Sequence, residues 1–247
     1  MPINATSVFH FTKTFDVLKG ILEDNFHVKF SAERFDLAGN DYTLACPMVS
    51  FCDTPLTQLQ RYQRYGSYGI GLTKDWAVRK GLSPVLYVNG ASHLAESLKT
   101  SIDHFLATVD SDPGAYNRQE KASLDILRFM KNHKGTLRRK GQPDVPNYVF
   151  EIEREWRFVP GDSLDFPMAM LASDYKAMGG SASANKLVAK ERLKFDPDDI
   201  RYLCVQSESE IHDLIAHIHS VKLKYTDKQV EILCSRILTE DQIRDDF

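Results

Sequence analysis

Three glutamates at alternate positions, Glu151, Glu153 and Glu155, stand in the segment FEIEREWRFVP between Phe150 and Pro160. Ionised carboxylates act as general bases, as partners for developing positive charge, or as ligands for hard cations. Read as a strand of period two, the segment puts the three carboxylates and Arg157 on one face, and Phe150, Ile152, Arg154, Trp156 and Phe158 on the other. Antiparallel sheets often keep one solvated face with alternating charges, so the row is either such a face or a working site. Trp156, sharing its face with Phe150, Ile152 and Phe158, reads as core. Glu153 and Glu155 stand about 7 Å apart along such a strand. Carboxylates so evenly spread do not converge on one metal ion, and magnesium-dependent nuclease chemistry ranks last.

Other residues with chemical potential are scattered. His10 lies near the end of an apolar run, Val8 to Phe11, just before a helical pattern, where side chains commonly point into a cleft; a hydrogen-bonded structural histidine is the plainer reading. His212, His217 and His219 are spaced i, i+5, i+7, which cannot bring all three to one helix face, so no metal site is expected. Cys46, Cys52, Cys204 and Cys234 show no CxxC spacing, and Cys204 sits in an apolar run as a buried thiol would. The stretch KNHKGTLRRKGQPDVP, with Lys131, Lys134, Arg138, Arg139 and Lys140, reads as an exposed basic loop. It is either a solvated face or a contact for phosphate or an acidic partner.

The elements that must position these groups follow from periodicity. FDVLKGIL carries a helical stripe with Thr14 as N-cap. MVSFCD reads as a strand and TPLTQLQRYQRYG as a helix begun at Pro55 and stopped by Gly66. Then come the strand YGIGLT, the short helix KDWAVRKG and the strand PVLYVN. The glycines at 66, 69 and 71 make neither a dinucleotide fingerprint nor a P-loop, and suit a close backbone approach to another strand or to a ligand. Residues 91–111 and 117–134 carry helical spacing divided by DSDPG. SDYKAMGGSASANK, 173–186, reads as a mobile loop. A strand over Ile200 to Val205 leads into a helix through the capping box Ser207/Glu210, and the tail reads as helix with a second box, Thr239/Gln242.

Composition bounds the answer. The 247 residues are 43% hydrophobic and 26% charged, the balance of an ordinary folded protein. A net charge of -3 argues against broad nonspecific nucleic-acid binding. The first residues show no export signal and no window approaches a membrane span, so a reducing cytoplasmic setting without membrane contact is expected. One domain over 1–247 is expected, with 91–134 as a helical insertion and 206–247 as C-terminal helices.

FHFT near the start, PMVSFCDTPL, YGSYGIGLTKDWAVRKGLSPVLYV and EREWRFVP resemble the AbiGi family of abortive phage-resistance proteins across roughly residues 8 to 205. Members carry the antitoxin label. The resemblance implies phage defence, with a cognate toxin or antitoxin as partner, and supplies no chemistry.

More distantly, the chain is similar to the ADP-ribosyltransferase superfamily. That similarity implies an α+β fold with a split β-sheet core around an NAD cleft, flanking helices and, here, a helical C-terminus. The superfamily's His, hydroxyl and Glu positions would fall, in chain order, on His10, on Ser50 or Tyr68, and on Glu155, with no Ser-Thr-Ser triplet present. Thr12 beside His10 and Phe51 beside Ser50 would join the cofactor side. Glu155 would stabilise the positive charge that builds on the ribose as nicotinamide leaves, and Glu153 would assist an acceptor nucleophile. Two functions are thus open. One is an NAD-using enzyme that modifies a macromolecular acceptor, protein or nucleic acid, or that cleaves NAD. The other is a non-catalytic antitoxin that neutralises a partner protein.

Overall fold

Strand and helix patterns alternate along the chain as an α+β fold in the computed structural model, which describes residues 5–108, 116–138, 141, 143–161, 163 and 165–246, apart from the side chains of 60–64 and 108. In chain order, β1 (Ser7–Thr12) leads into α1 (Phe15–Asp24), β2 (Phe26–His27), β3 (Lys29–Leu37) and the long β4 (Asn40–Cys52). A 3-10 segment, Leu56–Tyr65, precedes β5 (Tyr68–Thr73), α2 (Lys74–Arg79), β6 (Ser83–Pro84) and β7 (Leu86–Val88). The middle holds α3 (His93–Thr108), α4 (Arg118–Arg128), β8 (Met130–Asn132), β9 (Lys134–Leu137), β10 (Val145–Val149) and β11 (Glu155–Phe158). Next are β12 (Met170–Leu171), α5 (Ala172–Ala177), α6 (Ser181–Leu187) and β13 (Arg192–Leu193). Last come β14 (Ile200–Val205), α7 (Ile211–Val221), α8 (Asp227–Cys234), β15 (Ile237–Thr239) and α9 (Glu240–Asp246).

The chain divides into two compact units: Met1–His27, Ser50–Ser83 and Arg192–Phe247 form the first, and Val28–Val49 with Pro84–Glu191 the second. In the first, the strands run β15-β14-β5-β1, with the end of β4 beside β1 at Phe9↔Cys52. Only the β14–β15 pair is parallel among these. The glycines of YGIG sit at the middle of this sheet, Gly71 opposite Phe9 and Gly69 opposite Phe11. A Cβ on Gly71 would fall 2.6 Å from the Phe9 ring, so the close approach is to a neighbouring strand's aromatic side chain. Thr14 caps α1, whose Leu18, Ile21 and Leu22 are buried, as the stripe requires. Phe26, Phe51, Trp76 and Phe195 form an aromatic core with ring centroids 5.2 to 5.5 Å apart along Phe195–Phe26–Phe51–Trp76.

In the second unit, β3 and β4 form a hairpin closed by Ala38 and Gly39, both at positive φ, the geometry that two-residue hairpin turns favour. β12 pairs on the other side of β4, at Met170↔Ala45. β7 and β8 pair in parallel, and β9 with β10 antiparallel. Phe35, Leu37, Leu44, Ile102, Leu124 and Met130 belong to the core between strands and helices.

Several elements differ from the periodicity reading. The second helix of the middle region stops at Arg128, because Met130 is drawn into a parallel pairing with Leu86 and buried in the core. The stretch expected to be a basic loop is therefore mostly β8 and β9. The loop expected at 173–186 is two short helices, α5 and α6, separated by Gly179 and Gly180 at positive φ, with Ala184 buried. The tail is not all helix: Ile237–Thr239 leaves it to pair with β14, a non-local contact that local spacing cannot report. TPLTQLQRYQRYG winds as a 3-10 helix. DSDPG lies outside the described residues. No helix among the described residues is long and apolar enough to cross a membrane.

Candidate functional site

The segment that opened the sequence analysis is not one strand. Phe150–Glu153 is a 3-10 turn, Arg154 takes the left-handed conformation (φ 45°), and only then does β11 begin. The break takes Glu151 off the row and leaves Glu153 on the same side as Glu155 and Arg157. Glu151 stays exposed and pairs with His133 at 3.0 Å, while Ile152 is 52% exposed rather than core. Glu153, Glu155 and Arg157 are buried, whereas Trp156 and Phe158 are only half-buried. The charged face of β11 therefore points inward, so of the two readings of the row the solvated sheet face does not hold for Glu153, Glu155 and Arg157.

Five charged side chains meet there. Arg157 Nε donates to Glu155 Oε1 at 2.6 Å, and its Nη2 reaches both Glu155 Oε2 at 3.2 Å and Glu33 Oε2 at 3.1 Å. Lys131 Nζ lies 2.8 Å from Glu153 Oε2 and 2.9 Å from Glu155 Oε2. The Arg157 guanidinium also donates to the Arg128 carbonyl at 2.9 Å, and the Glu155 amide donates to the Tyr87 hydroxyl at 2.8 Å. Four elements supply the group: Glu33 from β3, Lys131 from β8, Glu153 from the turn, and Glu155 with Arg157 from β11. Asn132 fixes β8 against β3, accepting from the Asp36 amide at 2.6 Å and donating to its carbonyl at 2.8 Å.

The electrostatics follow from mutual neutralisation at low dielectric. Burial pushes the Glu155 carboxyl up, but Arg157 and then Lys131 outweigh it and hold the group well below the usual carboxylate range. Burial likewise opposes charge on Lys131 and Arg157, and the surrounding glutamates overcome it and raise both. Both Glu155 oxygens are engaged by cations, so its carboxylate is a structural counterion in this arrangement. A carboxylate meant to lie beneath a bound ribose must present an oxygen to it, and here Glu155 would have to exchange Arg157 or Lys131 for the ligand to do so. Glu153 is buried and tied to Lys131, which does not suit it to activate an acceptor.

The residues expected on the cofactor side lie in the first unit. His10, on β1, donates from Nδ1 to the Ser50 carbonyl at 2.9 Å, and its ring packs on Phe26 and Phe51 at 5.1 and 5.6 Å. Phe51 is part of the aromatic core, and Thr12 is buried with its hydroxyl donating to the Thr14 carbonyl at 3.1 Å. Tyr68 donates to Glu210 Oε1 at 2.6 Å; burial, then that hydrogen bond, push its pKa up to about 12. Glu210 in turn accepts from the Gln206 and Ser207 amides, completing the capping box read from the sequence. His10 and Ser50 are thus joined directly, and Tyr68 is committed to a helix entrance. His217 Nε2 lies 3.0 Å from the Lys19 carbonyl on α1, an internal hydrogen-bond partner.

Lys131 and Glu33 are the members that local pattern misses. Lys131 reads as one of a run of basic loop residues, and nothing around Glu33 marks it. Of the other basic residues, Arg138 pairs with Asp144 at 3.0 Å and Lys134 is exposed, while Arg139 and Lys140 lie outside the described residues.

A mixed α+β protein with a buried five-member charge cluster in one unit and an aromatic, hydrogen-bonded histidine in the other is what the geometry defines. The family profile described as "Putative abortive phage resistance protein AbiGi, antitoxin" matches residues 29–206. An abortive phage resistance protein AbiGi from Lactococcus lactis subsp. cremoris is similar to the chain, 31% identical over 229 residues, covering 81% of this chain and 88% of that protein. The chain belongs to the AbiGi family. No solved structure gives a significant match.

Proposed function

We propose that this chain serves abortive phage resistance as a non-catalytic antitoxin that neutralises a cognate toxin by binding it. Family membership supports the biological setting, and the family description supports the antitoxin role. The observation that carries the non-catalytic part is the state of Glu155: buried, with Arg157 on one oxygen and both Arg157 and Lys131 on the other. The alternative is an ADP-ribosyltransferase-like split sheet that holds NAD through His10, Thr12, Ser50, Phe51 and Tyr68 and uses Glu155 and Glu153. It requires those side chains to exchange their internal partners for ligand.

Co-expression with the cognate toxin separates the two. A Glu155→Gln variant, assayed at a temperature where it remains folded, is expected to restore growth and to co-purify with the toxin as the parent chain does. Loss of neutralisation in that variant while its fold and its toxin complex persist would contradict the proposal and favour a catalytic Glu155.

A further inference from the structure

The second unit holds a cavity of about 620 Å³ beside α3, α4 and β12 that neither the charge cluster nor the neutralising role uses. Its inner wall is core: Phe35, Leu44, Ile102, Phe105, Leu124 and Leu127 line it and belong to the buried cluster of this unit. Leu106 and Leu171 also line it, and at 39% and 44% exposure they mark where it opens. Native cores leave few voids larger than a water molecule. Water is a poor filling here, because each buried water needs two to four polar partners and the described side chains of the lining offer little beyond Asp41, Thr43, Asp174 and the Tyr42 and Tyr116 hydroxyls. A volume of this size with mostly apolar walls and a few polar groups is what small-molecule sites present.

The lining also sets the sign of the ligand. Aromatic rings supply much of the wall, with Phe35 stacked on Tyr42 at 5.9 Å and Phe105 against Tyr116 at 6.1 Å. The charged side chains that line it are Asp41 and Asp174, with no Lys, Arg or His among the described lining residues. Asp41 is paired with Arg34 outside the lining, Asp174 accepts from the Ser173 hydroxyl at 3.1 Å, and the Tyr42 hydroxyl donates to Asp103 at 2.8 Å. Asp41 is already neutralised by Arg34, so Asp174 carries the sign: aromatic rings together with a carboxylate are the surroundings that organic ammonium ions prefer, and the described lining offers an anionic head no cationic side chain. We propose that this cavity is a binding site for a small organic cation with an apolar tail, of the alkylammonium class.

Calorimetric titration of the full chain with three eight-carbon probes tests this: octyltrimethylammonium, 1-octanol and octanoate. Saturable binding is expected for the cation, at least tenfold tighter than for octanoate, with octanol between. Asp174→Asn should remove the advantage of the cation over octanol. Leu171→Lys, at a position 44% exposed, should weaken the cation tenfold or more and strengthen octanoate while the fold, read by circular dichroism, is kept. Ala169→Phe, which fills the space, should abolish binding of all three. Absence of saturable binding by octyltrimethylammonium, equal affinity for octanoate, or an affinity unmoved by Leu171→Lys would each overturn the proposal.

Discussion

Replacing Arg157 with methionine should damage the second unit more than replacing Glu155 with glutamine, and the charge count of the cluster says why. Among the ion pairs of the described residues, three carboxylates, Glu33, Glu153 and Glu155, face two cations, Lys131 and Arg157, for a formal balance of -1. Arg157→Met leaves all three carboxylates on Lys131 alone, at -2, and strips the Arg128 carbonyl of a donor at 2.9 Å. Breaking a buried pair from one side costs about 3–5 kcal/mol. Glu155→Gln moves the balance to 0, because Arg157 keeps Glu33 at 3.1 Å and Lys131 keeps Glu153 at 2.8 Å. Its loss is that of charge-assisted hydrogen bonds, about 1.5–3 kcal/mol. The double variant returns to -1 and should recover part of the arginine loss, a coupling that a cycle isolates.

The chain has two tryptophans, Trp76 in the first unit and Trp156 in the second, so 5-fluorotryptophan labelling gives one fluorine resonance per unit. In urea, Arg157→Met should lower the midpoint of the Trp156 resonance by roughly 2 M at an ordinary denaturant slope. Glu155→Gln should lower it by about half as much. An Arg157→Met midpoint indistinguishable from the parent, or a larger loss in Glu155→Gln, would refute the counterion reasoning.

Acid should act on the same cluster. Glu155 titrates well below its ordinary value because Arg157 and Lys131 outweigh the upward push of burial. A depressed folded pKa contributes stability above the unfolded value and loses it as pH falls toward the folded one. The Trp156 midpoint should therefore fall between about pH 5 and pH 2, with a shallower slope in Glu155→Gln; identical slopes would show that Glu155 is not the linked group. In the first unit, Gly71→Ala puts a methyl 2.6 Å from the Phe9 ring and should cost about 1–3 kcal/mol, read on the Trp76 resonance. An unchanged midpoint there would mean that the ring can yield. Tyr68→Phe removes the donor to Glu210 and should cost about 1–2 kcal/mol on the same resonance.

The sequence made elements with strong local signals legible. Thr14 as cap, the Leu18/Ile21/Leu22 stripe, the YGIGLT strand and the two capping boxes at Ser207 and Thr239 all follow from short-range rules and stand as read. What failed depended on distant partners. Met130 and Ile237 enter strands because Leu86 and Leu203 are there to receive them, and helical spacing carries no trace of that. The period-two reading of FEIEREWRFVP keeps Glu153, Glu155 and Arg157 on a common side, but the 3-10 turn at Phe150–Glu153 takes Glu151 away from them, and the row faces the interior through partners that local spacing does not report. Arg157 was visible as a neighbour of Glu155 two positions on, but Lys131 and Glu33 reach the cluster only through the tertiary fold.

The central claim, that Glu155 is an internal counterion in a binding protein, meets its most direct test in calorimetric titration of NAD into the parent chain and the His10→Ala variant, with nicotinamide release followed in parallel. The account predicts no saturable heat up to millimolar NAD and no nicotinamide released. Saturable binding in the parent that disappears in His10→Ala, with nicotinamide accumulating, would contradict it.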